Sequence, residues 1–375
     1  MYYGLPGTVG SAAVKADPAI RLERAVVTVV GALTVVVILR SLIDLFTYYP
    51  YGVDLEIPLR AASRWVGGGQ PYLPEAFDVP YGPNLPFLYP PATLPFIAPL
   101  LAIPRILLFP AWTLICLAAG VFACRRLGLP WWLVPIALAW PPFAEGIIGG
   151  NIQIVLFAAF AAVFWQRAQL PFAPVPRDPR ASGRPAAVDG LLAAAIGAVK
   201  ISQAHTWLFM LRRRPMAAAI GAAVVIAVVA LTLPLVRLDR WADWIGQAGR
   251  SGDPNWVPAG FPLSKLIGRG PGLVVTALTL VAMFFVPVRR AGAWTGLLSI
   301  LGAPSIHMFG LLFLIPAMLA IRRDIAVVAA LAIATYTDFG LIVGTLLAGS
   351  AFALSGRVPM LAARVDRSPE RSPET

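Results

Sequence analysis

The sequence predicts an all-α protein embedded in a membrane, and three features support that prediction. Of the 375 residues, 58% are hydrophobic and only 13% are charged, whereas soluble domains carry about 25% charged residues. The apolar residues form long runs, and about 20 of them suffice for a helix to cross a bilayer. Short basic clusters separate the runs, at 125–126, 212–214, 289–290 and 322–323. We therefore expect an integral membrane bundle of about 10 to 13 transmembrane helices.

The basic clusters also orient the chain, because cytoplasmic loops are enriched in Lys and Arg. Arg21 and Arg24 precede the first apolar run, 25–46, which assigns residues 1–24 to the cytoplasm. The polar stretch 47–88 is then the first outer loop. It begins with a pattern typical of an amphipathic helix, which a run of three glycines ends.

The rest of the chain is expected to form one domain. Residues 25–356 hold the transmembrane part, 237–271 form a second outer loop, and the polar tail 357–375 is expected to be cytoplasmic and disordered. Two stretches leave the span count open: 89–124 contains two apolar runs, and 190–211 is either one span or a hairpin. The protein is expected to be a multi-pass protein of the plasma membrane.

Composition argues against several other classes. The net charge of +12 would suit nucleic acid, but the basic residues lie between apolar runs, so we expect no nucleic-acid partner. Cys116 and Cys124 share one apolar segment and are interpreted as buried thiols rather than a disulfide or a metal site. Phosphate-binding loops, paired-cysteine metal motifs and HExxH are missing from the sequence. We expect neither a metal nor a cofactor.

Ionisable residues in or beside spans are costly and usually mark function or a buried ion pair. Asp54 and Glu56 open the amphipathic helix predicted over 54–66. Asp54 is equally well interpreted as a cap of that helix, and Glu56 as an interfacial charge. Arg60 and Arg64 share a face of the helix, where they suit lipid phosphates.

Three further ionisable residues lie deeper in the chain. Lys200 stands inside an apolar run, far from either end, which favours an anionic partner over snorkelling. His205 either lines the same cavity or is a packed neutral histidine. His307 lies between two apolar runs on the predicted outer face.

Several uncharged polar and aromatic residues complete the set of candidates. Asn151 and Gln153 start a span at its outer end, where amides cap a helix or bind a polyol. Tyr89 precedes two prolines that suit the first turn of a helix. Trp256 belongs to the Trp-rich stretch 240–256, which is typical of an interfacial aromatic belt or of a sugar or polyprenyl contact.

Taken in order, these pieces resemble the polyprenyl-phosphate-sugar-dependent glycosyltransferases of the GT-C fold, and glycosyltransferase family 87 most closely. That family includes actinobacterial mannosyltransferases of phosphatidylinositol mannosides and lipomannan, and an arabinofuranosyltransferase. The stretches that carry the resemblance are Val53-Asp54-Leu55 with Gly68-Gly69-Gln70-Pro71-Tyr72, Phe87-Leu88-Tyr89-Pro90-Pro91, Gly150-Asn151-Ile152-Gln153, Lys200 with Trp207-Leu208-Phe209, and Pro304 to His307. The chain departs from the family after Lys200, where proline is common, and beside His307, where an aromatic neighbour is common. These differences leave the donor sugar open.

The resemblance implies a single transmembrane catalytic domain that transfers a sugar with inversion on the outer face. Asp54 is the implied base, and Lys200 and His307 are the implied partners of the leaving phosphate, with Arg60 and Arg64 as helpers. The expected substrate-contacting residues are Glu56, Tyr89, Asn151, Gln153, His205 and Trp256.

The implied donor is a polyprenyl-phosphate sugar, with mannose as the first choice and arabinofuranose as the second. The acceptor is expected to be a lipid-linked or cell-envelope glycan, and membrane lipids are expected partners. The competing hypotheses are a multi-span transporter or flippase of an envelope precursor, with Lys200 and Asp54 as its substrate sites, and a non-catalytic scaffold. The long first outer loop and the lack of a visible internal repeat favour the enzyme.

Overall fold

The computed structural model describes residues 18–73, 75–76, 84–164, 185–200, 203–250, 267–303 and 306–355. These residues are mainly helical, which confirms the predicted all-α class. The α-helices, in chain order, are α1 (Pro18–Tyr48), α2 (Val53–Val66), α3 (Leu94–Ile97), α4 (Arg105–Arg126), α5 (Val134–Ala139), α6 (Pro141–Gly149), α7 (Gln153–Phe164), α8 (Ala186–Val199), α9 (His205–Arg213), α10 (Pro215–Arg250), α11 (Arg269–Ala282), α12 (Ala291–Leu301), α13 (Ile315–Met318), α14 (Arg323–Ala334) and α15 (Asp338–Ser355). Short 3-10 segments are Pro91–Thr93, Ala98–Ala102, Met283–Phe285, Val288–Arg290 and Met308–Leu314. One small hairpin, β1 (Glu75–Ala76) paired antiparallel with β2 (Asn84–Leu85), lies in the stretch predicted as the first outer loop.

Four segments of the described chain are long and apolar enough to cross a membrane. They are Ile20–Val66, which comprises α1 and α2, together with Arg105–Arg126, Pro215–Arg250 and Asp338–Ser355. Large apolar side chains on α1 and α10 face outward, as lipid contact requires. The remaining apolar helices are shorter. The predicted count of ten to thirteen spans therefore stays a prediction.

The two stretches that left the span count open are interrupted. The first apolar run of 89–124 forms Pro91–Ala102, which is broken into short helical turns. Only α4 in this stretch has the length of about 20 residues that a span needs. The run 190–211 is divided into α8 and α9, and Lys200 stands where α8 ends.

The core is centred on α7, which is buried on almost all sides. Its phenylalanines pack in an aromatic cluster with Phe313, at centroid distances of 5.3 Å from Phe157 and 4.9 Å from Phe160. A helix that is apolar all round belongs in a core. The start of α7, at Asn151 and Gln153, is therefore held by a rigid element.

A second layer covers the predicted outer side of the core. There α2, which agrees with the helix predicted over 54–66, packs with Phe87 and Leu94 against the end of α10. Helix α10 is kinked at Arg237, which has a φ of 61°, and it continues to Arg250. Part of the predicted second outer loop is thus helical.

Candidate active site

A cavity of about 370 Å³ lies between the core and the outer layer. It is bounded by the start of α2, the segment 85–90, the start of α7, the break between α8 and α9, and the segment 306–310. The candidate residues from the sequence that line it are Asp54, Tyr89, Asn151, Gln153, Lys200, His205 and His307. Residues that are far apart in the chain therefore converge on one space.

Asp54 lies in the first turn of α2 but does not cap it. The N-cap residue is Gly52, in the left-handed region at φ 75°, and no side chain makes a cap hydrogen bond there. The interpretation of Asp54 as a cap is therefore wrong. The hydroxyl of Tyr49 instead donates to Asp54 Oδ2 at 3.2 Å. Gly149 lets α6 approach closely, because a Cβ on it would lie 2.6 Å from the same oxygen.

Asn151 connects the carboxylate to the nearby cation. Its Oδ1 accepts a hydrogen bond from Lys200 Nζ at 3.3 Å and another from the backbone N–H of Gln153 at 2.9 Å. Its side chain also lies beside the Asp54 carboxylate, where the amide NH₂ is the group that can donate because a carboxylate only accepts. The opposite charges of Asp54 and Lys200 attract each other across this amide.

Lys200 and His307 both contact the aromatic ring of Phe309. Lys200 Nζ lies 4.7 Å from the centroid of the Phe309 ring, within cation–π range. The His307 imidazole stacks on the same ring, with centroids 5.4 Å apart and an angle of 16°. Phe309 therefore holds two nitrogen-bearing side chains in one region of the cavity, which suits an anion.

A buried histidine and two buried amides also line the cavity. His205 is buried at the start of α9, and its Nε2 is 3.1 Å from Thr279 Oγ1 on α11. Gln153 and Gln203 are buried on the same cavity. The two amides are uncharged and suit polar, uncharged parts of a ligand.

Tyr89 stands at the wall of the cavity near Asp54. Burial and then the negative charge of Asp54 raise the pKa of Tyr89 above its ordinary value. The phenol therefore keeps its proton at neutral pH and remains a hydrogen-bond donor. The backbone fixes this segment, since the carbonyl of Tyr89 accepts a hydrogen bond from the Tyr72 hydroxyl at 2.9 Å.

The other charged candidates on α2 lie off the cavity. Glu56 pairs with Arg60 at 3.1 Å and with Arg105 at 2.9 Å. Arg64 donates to the carbonyls of Pro71 and Leu73 at 3.0 and 2.9 Å, which ties the following loop to the helix. Their expected substrate contacts stay predictions. Trp256 lies outside the described residues, and Trp244 of the same Trp-rich stretch lines the cavity.

Four residues near the site were not among the candidates predicted from the sequence. Tyr49, Phe309 and Gln203 carried no signal of their own, because an aromatic or amide side chain beside an apolar run is common. Glu145 did carry one, since it is a carboxyl group within an apolar run. It is 5% exposed on α6 and accepts a hydrogen bond from the Tyr336 hydroxyl at 2.8 Å.

Comparison with known proteins adds one finding. A family model described as glycosyltransferase family 87 matches residues 87–260. A search of curated proteins found no match, and neither did a search of solved structures. The matched range includes Asn151 and Lys200 and excludes Asp54 and His307. The match indicates a membrane glycosyltransferase, and it leaves the sugar, the donor and the acceptor open.

Proposed function

We propose that the protein is an inverting glycosyltransferase that moves a sugar, mannose in the first instance, from polyprenyl phosphate to a lipid-linked or cell-envelope glycan. The observation that carries the proposal is the cavity in which the Asp54 carboxylate faces a region with Lys200 and His307. A base and an anion site in one cavity are what glycosyl transfer from a phosphate requires. Arabinofuranose from the corresponding donor is the alternative.

In the proposed reaction, an acceptor hydroxyl attacks the anomeric carbon of the donor sugar. Asp54 takes the proton of that hydroxyl, which makes the oxygen a better nucleophile. The bond between the anomeric carbon and the phosphate oxygen breaks on the opposite face, so the configuration inverts. Lys200 and His307 stabilise the charge that develops on the leaving polyprenyl phosphate.

The surroundings of the cavity suit a donor carried on a lipid. Helix α11 contributes Thr276 and Leu280 to the cavity wall, while Leu273, Leu278 and Val281 on its other sides are exposed. In a bilayer those exposed apolar side chains face lipid. A polyprenyl chain can therefore lie along α11 in the hydrocarbon while its phosphate enters the cavity. This donor needs no nucleotide-binding domain.

The test is transfer of labelled sugar from synthetic polyprenyl-phosphate mannose, and separately from polyprenyl-phosphate arabinofuranose, to a panel of lipid glycan acceptors. We expect wild type to transfer one sugar, and Asp54→Asn to be slower by about 10²- to 10⁴-fold, the usual contribution of a general base. Asp44→Asn is the matched control, because Asp44 is exposed on α1 and faces Arg40. It should leave the rate unchanged.

The other outcomes are equally informative. Equal transfer by wild type and Asp54→Asn would keep the enzyme class and remove Asp54 from the role of base. If wild type moves a labelled lipid precursor across vesicles without forming a glycosidic bond, the protein is a transporter or flippase.

A further inference from the structure

Two buried amides on the cavity wall have polar atoms that find no partner among the described residues. Gln153 is 1% exposed and Gln203 is 5% exposed, and both line the cavity. Gln153 Nε2 and Gln203 Oε1 make no hydrogen bond to any residue that the structure describes. Buried polar atoms are usually paired, so an unpaired one calls for an explanation. A bound ligand that supplies the missing partners is such an explanation.

The chemistry of the two atoms narrows the class of ligand. An amide NH₂ donates hydrogen bonds and an amide oxygen accepts them. A hydroxyl group does both, so one hydroxyl or two neighbouring hydroxyls can satisfy the pair. Phosphate oxygens match the donor alone, and hydrocarbon matches neither atom. The two amides therefore suit a neutral group that carries hydroxyls.

Backbone hydrogen bonds connect both glutamines to residues of the proposed reaction centre. The backbone N–H of Gln153 donates to Asn151 Oδ1, which also accepts from Lys200 Nζ. The backbone N–H of Gln203 donates to the carbonyl of Lys200 at 2.8 Å. The backbones of the two glutamines are thus anchored to the two partners of the Asn151–Lys200 contact.

We propose that Gln153 and Gln203 bind the hydroxyls of the sugar that is transferred, and so form the sugar subsite of the cavity. This inference rests on the proposed function, and it extends that function by naming the residues that recognise the glycosyl group. A sugar ring between the base and the phosphate site has its anomeric carbon where the acceptor can attack. The hydroxyls of its ring then face the two amides.

The first experiment measures thermal unfolding of the ligand-free protein in detergent. Gln153→Met and Gln203→Met replace each amide with an apolar side chain of similar length. Because no described residue forms a hydrogen bond with Gln153 Nε2 or Gln203 Oε1, removal of these atoms should cost the ligand-free protein no stability. We therefore expect both variants to unfold at the wild-type temperature or above it. Gln247→Met is the matched control: Gln247 is 6% exposed, lies off the cavity and donates to the carbonyl of Phe87 at 3.1 Å. It should unfold at a lower temperature. A similar loss in Gln153→Met and Gln203→Met, or a failure of both to fold, would overturn the proposal.

The second experiment compares binding of decaprenyl phosphate with binding of decaprenyl-phosphate mannose and decaprenyl-phosphate arabinofuranose. Wild type should bind one of the sugar-bearing lipids more tightly than the bare lipid. Each cavity variant should weaken that preference by about 10- to 100-fold and leave binding of the bare lipid unchanged. Gln247→Met should keep the wild-type preference. Equal weakening for all lipids, or no preference in wild type, would contradict the sugar subsite.

The two proposals can fail separately. If wild type prefers a sugar-bearing lipid, loses the preference in both variants and yet transfers no sugar, the subsite stands and the enzyme proposal falls. If wild type transfers sugar and both variants keep the preference, the enzyme proposal stands and this subsite falls.

Discussion

The position of the Asp54 carboxylate depends on three neighbours that make different contacts with it. Tyr49 donates a hydrogen bond to Oδ2, and the Asn151 side chain lies beside the carboxylate. Gly149 contributes by having no side chain, since Oδ2 occupies the space a Cβ would need. A proposed base held from several sides is preorganised for one direction of proton transfer.

Gly149→Ala tests that arrangement. The new methyl group would lie 2.6 Å from Asp54 Oδ2 and 2.9 Å from a ring carbon of Tyr49, so the carboxylate must shift. A displacement of about 1 Å at a reacting group costs about 10²-fold in rate, and we expect a loss of that order in kcat. The measurement is steady-state sugar transfer. Gly31→Ala on α1 is the control, because a Cβ there meets nothing within 4 Å. Unchanged kcat in Gly149→Ala would show that this contact does not set the position of the carboxylate.

Lys200→Met tests the proposed phosphate site. Removal of a group that stabilises developing charge costs about 10²- to 10³-fold in kcat. The loss should be accompanied by weaker binding of bare decaprenyl phosphate, measured by titration. Phe309→Leu keeps the ammonium but removes the ring below it, so its effect should be smaller than that of Lys200→Met. If Lys200→Met binds the bare lipid as wild type does, the phosphate lies elsewhere.

The candidate residues that the sequence singled out separate into two groups for a physical reason. An ionisable side chain inside an apolar run is costly wherever the fold places it, so Lys200 was conspicuous before its surroundings were known. Glu56, Arg60 and Arg64 lie on an amphipathic helix, where spacing shows which residues share a face. Spacing does not show which neighbour covers that face. Here Glu56 pairs with Arg105 and Arg60, and Arg64 donates to carbonyls of the loop after α2.

Among the helices, α8, which ends at Lys200, packs closely against α10. Gly190 on α8 and Gly221 on α10 allow close packing, since a Cβ on Gly221 would be 2.7 Å from the carbonyl of Gly190. Beside them, Asp189 is buried and forms an ion pair with Arg214. Small residues and a buried ion pair at one helix interface are typical of membrane bundles.

Asp189→Leu should destabilise the protein. It leaves the Arg214 charge without this carboxylate, and a broken buried pair costs about 3–5 kcal/mol. The expected result is a lower unfolding temperature together with slower sugar transfer, because α8 carries Lys200 at its end. In the double variant Asp189→Leu/Arg214→Met both charges are gone, and part of the stability should return. A double variant less stable than Asp189→Leu would show that Arg214 has a more important partner.

The interruptions of the helices were the part of the fold that sequence patterns described least well. Hydropathy identifies an apolar run but does not show where its helix breaks. The run 190–211 was expected to be either one span or a hairpin, and in the structure α8 ends beside Lys200 and α9 begins at His205. A break of this kind is tolerated at membrane depth where it lines a cavity. This break lines the candidate site, and Lys200 and His205 within the run were the local signals of it.

At the scale of the whole molecule, the cavity depends on contacts between distant parts of the chain. Asp54, Asn151, Lys200 and His307 belong to four different segments. Their convergence could be expected from the resemblance, but neither composition nor periodicity contains it. The all-α class, by contrast, follows from local properties of the residues, because a bilayer accepts few backbone structures.

The orientation of the molecule in the membrane leads to the last prediction. The proposed reaction takes place on the outer face, so α2 must be outside and the cluster 322–323 inside. Ser63 is exposed on α2 and Ala320 is exposed just before that cluster. A membrane-impermeant maleimide should label Ser63→Cys in intact cells, and it should label Ala320→Cys only after permeabilisation.

The wild-type protein is the control, because its two cysteines, Cys116 and Cys124, are buried and should stay unlabelled in the folded protein. The reverse labelling pattern would move the Asp54 cavity to the cytoplasmic face. The basic clusters would then fail to orient this chain, and an outward-facing polyprenyl-phosphate donor would have no access to Lys200. Labelling of both positions in intact cells would mean that the number of crossings between α2 and α14 is even, contrary to the prediction.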